Sequence, residues 1–282
     1  MHCDVCFRKC DIKEGGRGFC GARTCTDGRI VPENYGKITS LALDPIEKKP
    51  LARFCPGSMI LSAGSYGCDL RCPFCQNSSI SYGPEVAELR DEVTYIAPDE
   101  LAERAAALIP RGNIGLAFTY NEPLVGWEYV RDAAQCAQRL GMKNVLVTNG
   151  CAALPVLREL EPFIDAMNID LKSFSDDTYS SFLGGNKQMV MDFIEEAFSC
   201  GIHVEITTLT VTDMNDTEKE IMDIAGWLSS LNGGKGKEIP LHLSRFFPRF
   251  RLTDRPATDV GLIYRLADKA RTVLNHVYIG NC

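Results

Sequence analysis

The sequence predicts an α/β fold: a parallel sheet curled into a partial (β/α)6 TIM-like barrel, with a small Cys-rich appendage at the amino terminus. Three observations carry this. From Pro98 onward helical and strand patterns alternate about six times, the signature of a parallel sheet built from β/α units. Six units fall short of the eight that close a barrel. The chain has 282 residues with 45% hydrophobic content, enough to bury one large core. The first residues differ: Cys3, Cys6, Cys10 and Cys20 form a C-x2-C-x3-C-x9-C series with little apolar periodicity.

Taken in order, Met1 to Thr26 is rich in Gly and charge (KEGGRG, TDGR) and cannot fold around a core of its own. A metal is the simplest support, and the four Cys suit either tetrahedral zinc or a second 4Fe-4S cluster; unliganded surface thiols are the plain alternative. Gly28 to Asp44 reads as two short strands around a turn at Pro32-Glu33-Asn34, packed beside the main domain. Pro45 to Pro56, with three prolines, reads as a connector that closes the amino-terminal region at residue 56. The strand MILSA then delivers Gly64 to Asn77, and Ser78 to Ala97 follows as a long loop with a brief extended piece at DEVTY. Asp99 caps the helix ELAERAAALI, Ile114 to Thr119 is a strand, and Trp127, Val130, Ala134 and Ala137 mark a helix ending at Gly141. NVLVT, LPVLREL, Ala166 to Leu171, Met189 to Cys200 and Ile202 to Val211 alternate strand and helix. A helix through Ile221 and Leu228, a strand Ile239 to Leu243, and a helix from Val260 to Ala270 complete the barrel.

The chemistry centres on GSYGCDLRCPFCQN, Gly64 to Asn77, where Cys68, Cys72 and Cys75 stand as C-x3-C-x2-C. Three thiolates on one tight loop hold three irons of a 4Fe-4S cube and leave the fourth open to an outside ligand. Structural zinc is the alternative, but it takes four protein ligands, commonly as two C-x2-C knuckles, and this loop has neither. A net charge of -7, with no Lys/Arg run interleaved with aromatics, argues against a nucleic-acid partner. No apolar run has the length of a membrane span, and Met1 to Cys10 is too polar for a secretory signal, so the expected location is cytoplasmic. Thirteen Cys in such a chain point to metal or redox use rather than a disulfide framework.

Barrel chemistry sits where strands end. Thr119-Tyr120-Asn121-Glu122-Pro123, Thr148-Asn149-Gly150, Asp170-Leu171-Lys172, and His242 with Ser244 and Arg245 close successive strands. Each has a bland reading. Asn121 and Glu122 would cap the helix begun at Pro123, Asp170 and Lys172 would be a rim ion pair, and His242 a satisfied interior histidine. Their convergence with the Cys loop on one cavity outweighs those readings.

The same stretches resemble the radical S-adenosylmethionine (SAM) superfamily. The Cys loop with Phe74 fits its signature; FTYNEP stands where the family has a GGEP-like segment; VTNG and NIDLKSF resemble the DTNG and DLK of pyruvate formate-lyase activating enzymes. The amino-terminal Cys series, LALDPIEKKPL, PGS, TYNEP, LHLSRFFP and VYIGN resemble more closely the radical SAM family of the AmmeMemoRadiSam system. The resemblance implies a 4Fe-4S cluster that binds SAM, cleaves it reductively, and generates a radical that abstracts a hydrogen atom from a small-molecule or protein substrate. It implies SAM contacts from Phe74, Tyr120, Asn121, Glu122, Thr148, Asn149, Asp170, Lys172 and His242, with Arg245 toward an anionic substrate. A reductant such as flavodoxin or ferredoxin is the implied partner. Activation of a partner enzyme by a glycyl radical is the alternative activity, and a non-catalytic electron carrier the remote one. Val147 replaces the Asp of DTNG, so no cation site is carried over. Cys282 is either a terminal thiol without a role or a ligand.

Overall fold

The computed structural model describes residues 1–282 apart from the side chain of Asp91. Strands in chain order are β1 (Arg23–Thr26), β2 (Arg29–Pro32), β3 (Lys37–Ile38), β4 (Ser40–Pro45), β5 (Met59–Gly64), β6 (Thr94–Tyr95), β7 (Asn113–Phe118), β8 (Lys143–Thr148), β9 (Ala166–Asp170), β10 (His203–Thr210), β11 (Leu241–Arg245) and β12 (Val277–Gly280). Helices are α1 (Ser78–Ser81), α2 (Val86–Glu92), α3 (Pro98–Ala106), α4 (Trp127–Arg139), α5 (Leu154–Leu160), α6 (Lys187–Ser199), α7 (Glu218–Gly234) and α8 (Val260–Ala270). One eight-stranded sheet runs β12-β11-β10-β9-β8-β7-β5-β4, parallel from β5 to β12 with β4 antiparallel at its edge. Its outer strands, β4 and β12, are not bonded to each other, as expected of a sheet short of closure.

Strand alternation divides the core in two. Leu61, Leu116, Leu146, Met167, Ile206, Leu241 and Leu243 pack with helix residues such as Ala102, Ala133, Val156, Ile194, Ile224 and Ile263. Small alanines at α3 and α4 let those helices sit close. The opposite, inner face carries Ile60, Ala117, Val145 and Ala166, which pack on Ile46 and Leu51. Side chains alternate across a strand, so Asn168, Asp170, Glu205, Thr207, His242 and Ser244 share this inner face. Asn186, Thr217 and Asp259 cap α6, α7 and α8 by accepting from backbone amides, each cap worth about 1 kcal/mol.

Several expectations change, among them the cap of α3, which starts at Pro98 with Asp99 inside its first turn and no side-chain cap. The hairpin of the amino-terminal region is β1–β2, turning at Asp27-Gly28 rather than at Pro32-Glu33-Asn34. β4, expected in that hairpin, is the edge of the main sheet because it pairs with β5 over its whole length. Pro45 to Pro56 is no passing connector: Ile46 and Leu51 are fully buried, and this stretch plugs the end of the sheet where β5 begins. The strand β12 lay unmarked in the sequence patterns, and α1 and α2 occupy part of the expected loop 78–97. Thr94–Tyr95 does pair with β3, as the alternation in DEVTY suggests.

Candidate active site

The cysteine loop leaves the end of β5 and is held by backbone contacts on all sides. Ser65 N donates to Asn121 Oδ1 at 2.9 Å, and Gly67 O accepts from Asn121 Nδ2 and Glu122 N, both at 3.2 Å. Cys68 N donates to Cys20 O at 3.2 Å, Arg71 N to Leu183 O at 2.8 Å, and Arg251 N to Pro73 O at 2.9 Å. Gly67, with φ +98°, fits because a Cβ there would stand 2.6 Å from Ala22 Cβ and 2.9 Å from Cys20 O. The Arg71 guanidinium donates to Cys68 O and Leu70 O, the Tyr82 hydroxyl to Cys72 O, and Asn77 Nδ2 to Tyr120 O at 2.8 Å. Phe74 packs against Phe182 and Phe246, both with centroids at 6.4 Å.

Behind the loop lies a nest of buried acids. Glu122 accepts from Leu124 N at 3.0 Å, Thr148 Oγ1 at 2.7 Å and Asn149 N at 2.7 Å, tying the end of β7 to the end of β8. Burial and then the Asp69 carboxylate push Glu122 up to about 8 against those three donors. Asn149 Nδ2 donates to Asp69 Oδ1 at 2.8 Å and reaches Cys68 Sγ at 3.8 Å. Asp69, itself buried, is raised above the ordinary carboxylate range by that burial. Asn121, Glu122 and Asn149 thus bond the Cys loop directly and Thr148 only through Glu122, and these bonds hold loops together.

Lys172 is the cation of the site. Its Nζ stands 2.7 Å from Asp170 Oδ2. Burial would lower its pKa, but the Asp170 carboxylate and the Cys72 sulfur override this and hold it above the ordinary lysine value. Burial pushes the Cys72 thiol up to about 12, with Lys172 the first influence against it. Cluster binding needs the thiolates and therefore releases protons.

Three expected residues stand elsewhere or are already engaged. His242 Nε2 lies 2.6 Å from Glu205 Oε2, and its ring stacks on Tyr278 at 5.2 Å. Glu205 also takes Ala52 N at 2.9 Å and Arg53 N at 2.8 Å from the plug, so one ring nitrogen of His242 is spent toward the plug, while its register partner Thr207 pairs in turn with Asp170. Tyr120, at φ +73°, sends its hydroxyl to Asp44 Oδ2 at 2.8 Å beneath Lys49. Arg245 Nε donates to Thr258 O at 2.8 Å and the guanidinium lies 4.8 Å from the Phe247 ring, pinning the chain after β11.

The amino-terminal cysteines abut the same loop. Cys3 and Cys20 are buried, Cys6 and Cys10 half-buried. Burial and then the nearby Asp69 carboxylate push the Cys6 thiol up; burial takes Cys20 up to about 11, with Asp69 and Cys3 adding to it. Cys10 Sγ accepts from Phe19 N at 3.4 Å. Among the described residues no three His, Cys, Asp or Glu are arranged to share a single metal ion, in this series or at Cys68, Cys72 and Cys75. A four-iron cube needs no such arrangement, because each thiolate holds its own iron. Three partly to fully buried thiols on a braced loop that carries no fourth cysteine fit a cube with one open iron. On the inner face Asn168 Oδ1 and Thr207 Oγ1 are buried without a hydrogen-bond partner among the described residues, acceptors that a bound molecule would satisfy.

Asp69, Arg71, Tyr82 and Glu205 escaped the sequence reading. A lone carboxylate in the β-branched strand HVEITT was a visible sign for Glu205, and Asp69 lies beside Cys68 in the loop itself. Tyr82 had no local sign.

Comparison with known proteins agrees with the geometry. The model of the Radical SAM superfamily matches residues 63–228. An uncharacterized protein of Methanocaldococcus jannaschii is 38% identical over 100% of this chain and 81% of its own. The pyruvate formate-lyase-activating enzyme of Clostridium pasteurianum is 24% identical over 62% of this chain and 72% of its own. Among solved structures, Streptococcus suis SuiB bound to S-adenosylmethionine aligns with a TM-score of 0.58 at 14% identity, over 77% of this chain and 48% of SuiB. That likeness concerns the fold alone.

Proposed function

The chain belongs to the radical SAM superfamily of enzymes, and from that premise we propose that it cleaves S-adenosylmethionine reductively and abstracts a hydrogen atom from a small-molecule or protein substrate. The observation that carries this reading is the braced loop of Cys68, Cys72 and Cys75 beside the Asp170–Lys172 pair. When bound, the cluster and SAM supply the low-potential electron and the carbon-centred radical.

In this reading Cys68, Cys72 and Cys75 hold three irons. Lys172, oriented by Asp170, neutralises the SAM carboxylate. Tyr120, Asn121 and Glu122 would hold the amino group, and Thr148 and Asn149 would contact the ribose side. Phe74, between Phe182 and Phe246, keeps water from the loop. His242, with one ring nitrogen on Glu205, would join Thr148 and Asn149 on the ribose and adenine side. Thr207, level with Asp170 and with its hydroxyl unpartnered, would receive a polar group of a bound molecule on the inner face. A flavodoxin or ferredoxin serves as electron donor.

Anaerobic spin resonance of the reduced protein with and without SAM tests the reading. A signal that changes with SAM, together with 5'-deoxyadenosine in the products, is expected; a spectrum indifferent to SAM with no product would overturn it. The likeness to the pyruvate formate-lyase-activating enzyme favours a second reading, installation of a glycyl radical on a partner enzyme. A glycyl-radical signal on a co-purified protein would select it. We also propose that Cys3, Cys6, Cys10 and Cys20, which are not arranged around a single ion such as zinc, hold a second iron-sulfur cluster with each thiolate on its own iron, supplying folding free energy to a region without its own core. Elemental analysis of Cys6→Ala should read less iron than wild type, and equal content would remove these residues from the ligand set.

A further inference from the structure

We propose that the strap between β11 and α8, through Arg249 and Arg251, is the docking ridge for an acidic electron-carrier protein. The proposal rests on the cluster assignment above. Residues 246–258 form this strap, and its tip is a tight turn closed by Arg249 N to Leu252 O at 3.1 Å and Leu252 N to Arg249 O at 3.0 Å. Phe250 sits in that turn at φ +53°. The tip is clipped to the cysteine loop at two points. Arg251 N bonds Pro73 O, between Cys72 and Cys75, and the Phe250 ring meets Tyr82 edge-on at 5.7 Å while Tyr82 bonds Cys72 O. On the inner side Phe246 is buried against Phe74. The strap is thus a wall of the cluster site.

The outer side of that wall has unusual charge for this chain. Arg249 and Arg251 are exposed, and neither has a carboxylate within ion-pairing distance among the described residues. Between positions 245 and 258 four arginines stand against one aspartate, on a chain of net charge -7. That aspartate, Asp254, is already paired with Arg255 at 3.0 Å. Phe247, 43% exposed, adds an apolar surface beside them. Arg8 and Arg71, in and beside the cysteine loop, spend their guanidiniums on the carbonyls of Asp69, Gly184, Cys68, Leu70 and Phe19. The Arg251 guanidinium lies 4.9 Å from the Phe250 ring, which presents it in a fixed direction.

Position selects the partner. A protein seated on Arg249 and Arg251 stands against the residues between Cys72 and Cys75, and the inner face stays free for SAM and substrate. A basic ridge on an acidic protein attracts an acidic partner and raises its association rate. The step is a one-electron transfer: the carrier is oxidised by one electron and the cluster reduced by one, with no bond made or broken.

The test is stopped-flow reduction of the reconstituted, cluster-loaded protein by pre-reduced flavodoxin and, separately, by the deazaflavin radical that illumination generates with EDTA as sacrificial electron source, a small-molecule donor. In Arg249→Glu/Arg251→Glu, reduction by flavodoxin should slow by about tenfold or more at low salt and lose its salt dependence, while the deazaflavin rate is unchanged. Arg249→Lys/Arg251→Lys should keep most of the flavodoxin rate. Equal flavodoxin rates in the glutamate variant and wild type would overturn the proposal. So would parallel slowing by both donors, which would make the strap a brace of the cluster loop. A raised substrate KM with an unchanged flavodoxin rate would assign the ridge to an anionic substrate instead. Wild-type protein that takes up no iron-sulfur cluster fails before any donor is added, and that failure belongs to the cluster assignment and removes this proposal with it.

Discussion

Glu205 and Glu122 are both buried glutamates that accept several hydrogen bonds, and they titrate in opposite directions. Glu205, fully buried, meets His203 and His242 and the amides of Ala52 and Arg53. Burial alone would raise it, but those four bonds hold it down to about 2. Glu122 has three donors and is pushed up to about 8 by burial and by Asp69. The difference is the company each keeps. Two imidazoles and two backbone amides hydrogen-bond the Glu205 carboxylate, whereas Glu122 faces a second carboxylate and the Cys68 sulfur. The plugged end satisfies its carboxylate, and the cysteine-loop end gathers acidic groups that keep their protons until iron or a cationic cosubstrate binds.

Removing a ligand from the cysteine-loop end should have the largest effect and leave the other end intact. Cys72→Ala is expected to fold with an unchanged urea midpoint and to form no 5'-deoxyadenosine above background after anaerobic reduction. Wild-type product levels would remove Cys72 from the cluster.

The converse change comes next. Glu205→Ala strands two histidines and two amides at the plug, and breaking a buried pair of this kind costs about 3 to 5 kcal/mol, read by urea denaturation. Iron bound per folded molecule should stay at the wild-type value. An unchanged midpoint would show that the plug does not depend on this carboxylate.

The two glutamates also predict opposite pH slopes. Glu205 has a depressed folded pKa, so its contribution is present above its ordinary value near 4.5 and is lost as pH falls toward about 2. Glu122 has a raised folded pKa, so the folded state binds the extra proton and stability falls as pH rises from about 4.5 to about 8. On iron-free protein the decline above pH 5 should weaken in Glu122→Gln, and the loss below pH 4.5 should weaken in Glu205→Gln. Curves parallel to wild type would erase the contrast.

Lys172→Ala should give the smallest effect. Loss of a hydrogen bond to a charged group, about 1.5 to 3 kcal/mol, corresponds to roughly 10- to 100-fold weaker SAM binding by calorimetry. Iron content should be unchanged, since Lys172 is not a ligand; lost iron would make it a structural support of Cys72.

Much of the site was legible because its residues are close in sequence. C-x3-C-x2-C needs only one loop, and Asn121, Glu122, Thr148, Asn149, Asp170 and Lys172 each follow a strand whose pattern is plain. His242 was legible as a polar residue of β11, but its bond to Glu205 was not, because the partner lies on a neighbouring strand. Its level relative to the cysteine loop depends on strand stagger, which no local pattern records. The plug was missed for a related reason. PIEKKPLARFCP has no period, and its burial comes from Glu205 and Ala166, more than 100 positions away.

Local spacing and periodicity, then, determined by themselves the six β/α units, the cysteine loop and the polar strand ends, because each rests on contacts between near neighbours in the chain. Tertiary structure alone decided which polar residues face an open site and which are consumed in holding loops together. It also seated the amino-terminal cysteines beside Asp69, turned a proline-rich connector into a plug, and clipped a basic strap to Pro73. Those outcomes depend on the direction of each side chain from its strand and on the charges that folding brings beside it, and both are set only when distant segments pack.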